Sequence, residues 1–168
     1  MKKVLSLMIL VMVLLSGFSG VLAAEEETTG DYYFMITQVE NNLLFVNGMP
    51  TEFDPINPAV MPVKNEKGEI FVPMYMLVGC AGGFSIWEAE TNSVLINYNG
   101  ETITFAIGSD EVKVGEETVK LSAPTYAENN RTLVPLDFFE NCLKGTAEVD
   151  EETNTIMIAL ETKVYAAG

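Results

Sequence analysis

Residues 71–98 read FVPMYMLVGCAGGFSIWEAETNSVLINY, and 62 positions later residues 133–160 read LVPLDFFENCLKGTAEVDEETNTIMIAL. The two stretches align without a gap. Eight of the 28 pairs are identical, among them Val72/Val134, Pro73/Pro135, Cys80/Cys142, Gly83/Gly145 and Asn92/Asn154, and many others exchange one apolar residue for another. A match at a fixed spacing marks a duplicated supersecondary unit and names the positions that unit needs. Upstream, Pro62 matches Pro124 at the same offset, and Gly48 and Gly115 each stand between two strand-like runs. Between glycine and proline the first copy is five residues longer, which maps an insertion onto residues 54–59.

Each unit resolves into hairpins and one short helix. Asn47-Gly48 and Asn99-Gly100 sit between apolar runs, where a type I′ turn needs positive φ at both central residues. Val94, Ile96 and Tyr98, then Ile103, Phe105 and Ile107, alternate with polar residues, the period of half-buried strands. Tyr32 to Ile36 forms a further aromatic and β-branched run, and Gly115-Glu116-Glu117 turns another hairpin. Met74, Leu77 and Ala81 keep helical spacing, as do Leu136, Phe139 and Leu143. Pro73 and Pro135 fall where a first helical residue belongs, and Gly82-Gly83 and Lys144-Gly145 close the two helices. Helices of about ten residues do not hold in water alone, so they must pack on the strands. The expected fold is α+β: two pseudo-repeats, about 43–100 and 101–160, of antiparallel hairpins, each with one short helix packed on a twisted sheet.

The ends bound the compartment. Lys2 and Lys3, an apolar run to Leu15, the breakers Ser16 and Gly17, and Val21-Leu22-Ala23 have the layout of a cleaved signal peptide over residues 1–23. The apolar run is shorter than the roughly 20 residues that span a bilayer, so no stable membrane insertion is expected after cleavage. Residues 24–30 are polar and expected to be flexible, and 31–168 form a single domain. The 168-residue chain carries a net charge of −15, with 9 basic and 24 acidic residues. Loss of Lys2 and Lys3 leaves 7 against 24, or −17. Such a surface repels nucleic acid, whose binding depends on Lys and Arg.

Residues 129–158, NNRTLVPLDFFENCLKGTAEVDEETNTIMI, resemble the copper amine oxidase N-terminal-like domain, also called the stalk domain. In that family an Asn-Gly-Arg-Thr-x-Val-Pro-Leu-Arg segment leads into a short helix ending in Gly, then a Trp-Asp turn and a closing hairpin. The first copy is similar through Val46-Asn47-Gly48, Val72-Pro73-Met74 and Ile86-Trp87-Glu88. The resemblance covers about residues 43–160. It departs where the family's second arginine stands, here Tyr75 in one copy and Asp137 in the other. The resemblance implies an accessory module without the copper-bearing catalytic domain, on secreted or cell-surface proteins of Gram-positive bacteria.

The residues themselves argue against several chemistries. The chain has no histidine, which removes the commonest copper and zinc ligand and the usual general base. No P-loop, Gly-x-Ser-x-Gly or Ser-x-x-Lys pattern occurs. Glu88 and Glu90 read as acids of a hairpin turn rather than a glycosidase pair. No catalytic residue, metal ligand or cofactor is assigned, and the chain is read as not an enzyme.

Cys80 and Cys142 occupy one slot in the two copies. They read either as equivalent buried thiols or as a disulfide joining the helices. Export would favour the bridge, which would stabilise by roughly 2–4 kcal/mol. Trp87, Tyr75, Tyr98 and Tyr126 are the ligand-binding candidates, since exposed rings stack on sugars and peptides, although rings are more often core. The reading is a secreted, non-catalytic module at the cell surface that binds peptidoglycan, a surface glycan or a surface protein. The competing reading is a structural spacer or assembly component.

Overall fold

Asn47-Gly48 and Asn99-Gly100 turn the chain with φ of 50° and 81° at the first and 51° and 82° at the second. Around such turns the computed structural model describes residues 31–162, so the expected signal peptide 1–23 and the expected flexible segment 24–30 lie outside the described residues. The first half contains β1 (Asp31–Gln38), β2 (Leu43–Val46), β3 (Met49–Glu52), β4 (Val63–Lys64), β5 (Ile70–Pro73), α1 (Met74–Cys80), β6 (Phe84–Glu88) and β7 (Ser93–Tyr98). The second contains β8 (Glu101–Ala106), β9 (Glu111–Val114), β10 (Glu117–Lys120), β11 (Tyr126–Glu128), β12 (Arg131–Pro135), α2 (Asp137–Asn141), β13 (Thr146–Asp150) and β14 (Thr155–Thr162). The class is α+β, mostly antiparallel sheet with two short helices.

The strands form three sheets among the described residues. One has the order β13-β14-β1-β2-β3, the second β10-β9-β8-β7-β6, and a four-stranded sheet β11-β12-β5-β4 lies in the chain between them. In the four-stranded sheet β5 and β12 run antiparallel with Val72 opposite Val134, and Phe71 and Pro73 oppose Pro135 and Leu133. The two copies thus meet across this pair, with the equivalent residues Val72 and Val134 at its centre. The first sheet is completed by both ends of the described chain, since β1 pairs along β14 from Asp31↔Thr162 to Gln38↔Thr155. The sequence predicts a strand at Tyr32 to Ile36 but names no partner for it.

The helices are shorter than the expected ten residues, seven in α1 and five in α2. Pro73 and Pro135 are the last strand residues rather than the first helical ones. Pro73 has φ −63° and ψ 112° because it is paired in the sheet, and proline's fixed φ suits strand and helix alike. Helix closure also differs in detail. The left-handed residues are Gly82, at φ 81°, and Lys144, at φ 58°. Gly83 and Gly145 serve close approach instead. A Cβ on Gly83 would stand 3.0 Å from the Asn97 carbonyl oxygen, and one on Gly145 would stand 2.5 Å from that of Ala159. Asn97 and Ala159 are again 62 apart, so each glycine lets its helix end ride against the neighbouring strand.

One cluster of buried side chains draws on both five-stranded sheets and both helices. Met35, Leu44, Ile156, Ile158 and Leu160 enter it from the first sheet, and Val94, Ile96, Ile103 and Phe105 from the second. Leu77 and Val78 come from α1, and Phe138 and Phe139 from α2. Phe138 packs edge-on against both Phe105 and Phe139, with ring centroids 5.7 and 5.8 Å apart. Such T-shaped contacts add roughly 0.5–1.5 kcal/mol each to the burial itself.

The structure leaves Cys80 and Cys142 unbridged. Cys142 is buried, and that burial pushes its thiol up to about 12.

Candidate functional site

Val94 is buried in the core from β7, and its cross-strand partner on the edge strand β6 is Trp87. As the sheet ends there, Trp87 has no further strand beside it and is 59% exposed. Tyr75 sits in the first turn of α1, one residue after buried Met74, and its ring is 58% exposed. Tyr75 and Trp87 line one cleft of about 350 Å3, with Ser85, Asn130, Arg131 and Thr132 supplying its polar groups. The volume is that of a small-molecule pocket.

Arg131, the only arginine in the chain, opens β12 behind the Asn129-Asn130 turn, where both asparagines have positive φ. Its guanidinium carbon lies 5.9 Å from the Tyr75 ring centroid, within cation–π reach. Nη1 donates to the Asn130 carbonyl oxygen at 2.9 Å, and Nη2 forms an ion pair with Asp54 Oδ2. Asp54 is 5% exposed, and its Oδ1 accepts the Ile56 N–H at 2.9 Å and the Asn57 N–H at 3.2 Å. The Ile56 N–H is the largest influence and holds the carboxyl below its ordinary value. Burial opposes it, while the Asn57 N–H and the guanidinium add to the lowering.

The five-residue insertion thereby acquires a role. It carries Asp54 to Arg131, and it is fastened to the turn before Arg131 by Asn57 Nδ2 donating to the Asn129 carbonyl oxygen (3.3 Å) and Asn129 Nδ2 donating to that of Ala59 (3.0 Å). A guanidinium held on one side by a buried carboxylate and facing an aromatic ring on the other is fixed in place. Two exposed rings, an amide, two hydroxyls and this cation can stack on a planar or ring-shaped ligand and hydrogen-bond its edge.

The four ring candidates divide. Tyr75 and Trp87 are brought together. Tyr98 is buried, and its hydroxyl donates to the Glu161 carbonyl oxygen. Burial above all pushes its pKa up to about 12. It borders a larger cleft of about 540 Å3 rimmed by Glu101, Glu116, Glu117 and Glu161, but its hydroxyl is already engaged by backbone. Tyr126 packs edge-on against Phe71, centroids 5.0 Å apart, in the small apolar cluster under the four-stranded sheet. Of the positions where the family's arginine is missing, Asp137 is structural, accepting from the Ser122 N–H (2.8 Å) and hydroxyl (2.9 Å). Glu88 and Glu90 stand exposed, outside the cleft lining.

Asp54 and Arg131 are not among the residues singled out from the sequence. The available signal was compositional: a lone arginine in a strongly acidic chain, inside the best-matched motif.

Copper does not fit these residues. The chain lacks histidine, and among the described residues no group of three or more Cys, Asp or Glu side chains is placed to hold a metal ion. Among the same residues no helix is long and apolar enough to cross a membrane.

No curated protein and no solved structure matches the chain. The family model described as the copper amine oxidase N-terminal domain matches residues 45–158. That span runs from β2 to β14 and takes in both helices, the insertion and every residue of the aromatic cleft. By this match the chain belongs to the copper amine oxidase N-terminal domain family.

Proposed function

We propose that the chain is a non-catalytic extracytoplasmic module that binds a cell-envelope glycan in the Tyr75–Trp87 cleft. One observation carries the reading: two exposed aromatic rings converge on one cleft beside a fixed guanidinium. Rings of this kind stack on the apolar faces of sugars, while Asn130, Ser85 and Thr132 are placed to bind hydroxyl and amide groups at the edge. The family match is to the N-terminal domain, which supports an accessory role, and the signal-like residues 1–23 support export. In this reading residues 31–168 are a single domain of two pseudo-repeats related about the Val72–Val134 pair, and the insertion of the first repeat makes the two halves differ in function.

The cleft contains the only tryptophan, so its emission reports occupancy directly. Titration with soluble peptidoglycan fragments should give saturable quenching or a blue shift, and the protein should sediment with purified cell walls. Trp87→Ala and Tyr75→Ala should each weaken wall binding about tenfold, the effect of losing roughly 1–1.5 kcal/mol of stacking. Unchanged sedimentation of both variants would refute the assignment of this cleft.

A further inference from the structure

The first five-stranded sheet turns an apolar face outward. Met35, Thr37, Leu44, Ile156, Ile158 and Leu160 point to the core, and the alternate residues of the same strands face away from it. Those outward residues are Tyr32, Phe34 and Ile36 of β1, Leu43 and Phe45 of β2, and Met157 of β14. Phe34 is 60% exposed. They are contiguous, since Ile36 opposes Met157 on one side and Phe45 on the other. An apolar patch with a polar rim is the mark of an interaction surface.

The second five-stranded sheet is built on the same strand pattern but does not do this at its centre. Outward positions on β8 and β9 carry Thr102, Thr104 and Lys113, with Thr104 opposite Lys113, and the large apolar outward residues are confined to Leu95 of β7 and to Phe84 and Ile86 of the edge strand β6. The fold therefore does not require an apolar outer face at the centre of such a sheet.

Charge selects the occupant. Glu148 is the cross-strand partner of Met157, Glu161 of Tyr32 and Glu52 of Leu43, so acids border the patch on three sides. None of the five strands contains lysine or arginine. A second copy docked face to face would set acid rim against acid rim, and an anionic lipid surface would be repelled. We propose that this face docks a partner protein whose own contact patch is apolar and rimmed by Lys and Arg. The surface lies on a different sheet from the aromatic cleft, and the two stand or fall separately.

The test uses the full chain with labelled Ile and Met methyls and a short amphipathic helix of leucine and lysine as probe. Shifts should concentrate at Ile36 and Met157, weaken with added salt, and be absent for the leucine–glutamate counterpart. Phe34→Thr/Ile36→Thr alters exposed side chains only and should keep the circular dichroism spectrum while weakening the probe at least about tenfold. Shifts scattered over other methyls, or equal binding of the glutamate peptide, overturn the proposal. So does dimerisation, or flotation with anionic vesicles, that is lost in the same double variant.

Discussion

Three glycines near the helix ends offer a graded test of the packing. Gly145 takes the closest approach: an added Cβ meets the Ala159 carbonyl oxygen and Leu160 Cδ2, both at 2.5 Å. A backbone carbonyl in a paired strand cannot swing aside. The strain should therefore reach the upper end for overpacking, about 3 kcal/mol. Alanine's less disordered unfolded chain returns about 0.5–1 kcal/mol, leaving a net loss of about 2 kcal/mol. At Gly83 the neighbours are Val78 Cγ1 at 2.8 Å, the Asn97 oxygen at 3.0 Å and Tyr98 Cδ2 at 3.2 Å, so the backbone oxygen stands farther off than at Gly145. The net loss there should be about 1 kcal/mol. At Gly79, inside α1, no atom lies within 4 Å, so alanine should stabilise by about 0.5–1 kcal/mol. Thermal unfolding resolves this series, since 1 kcal/mol moves Tm by roughly 3–6 °C at this size. A Gly145→Ala protein as stable as the parent, or a Gly79→Ala protein less stable than Gly83→Ala, would refute the close-approach reasoning.

Asp54 supplies a pH test. Its pKa is lowered in the folded chain, so its contribution is present above the unfolded value, 3.8, and is lost as pH falls through the lower folded value. Asp54→Asn should be less stable than the parent at pH 7, and its unfolding midpoint should fall less steeply below about pH 4. Parallel slopes in the two proteins would remove the carboxylate from the account. Iodoacetamide should leave buried Cys142 unmodified in the native protein and modify half-buried Cys80 slowly. Unfolded without reductant, both should alkylate, and a mass showing neither thiol available would restore the bridge.

Local features were legible in the sequence and long-range ones were not. Asn47-Gly48 and Asn99-Gly100 announce their turns because Asn and Gly take the required positive φ most readily. Val94, Ile96 and Tyr98 announce their strand because burial on one face has a period of two. By contrast, the β1–β14 ladder joins residues more than a hundred positions apart, and no local pattern encodes which strand will be its neighbour. The helix starts were misplaced because proline's φ fits both states, and it was the cross-strand pairing at Pro73 that decided. The candidate cleft was half legible. Tyr75 and Trp87 stood out as positions where the copies differ, but Asp54 reaches Arg131 across 77 positions and is supplied by an insertion with no counterpart to compare.

The ladder between β1 and β14 also sets a schedule. During synthesis the first described strand is made long before the last, and until Thr155 to Thr162 follow, β1 and β2 can form no more than a marginal antiparallel pair or hairpin with β3. The second sheet uses strands contiguous in the chain and can form first. The first sheet must wait for β14, a non-local closure of the kind that slows folding. The nascent protein therefore passes through a stage in which Phe34, Ile36 and Phe45 sit on loose, unpaired strands. In that interval it is most open both to chaperone capture and to mispairing with another chain.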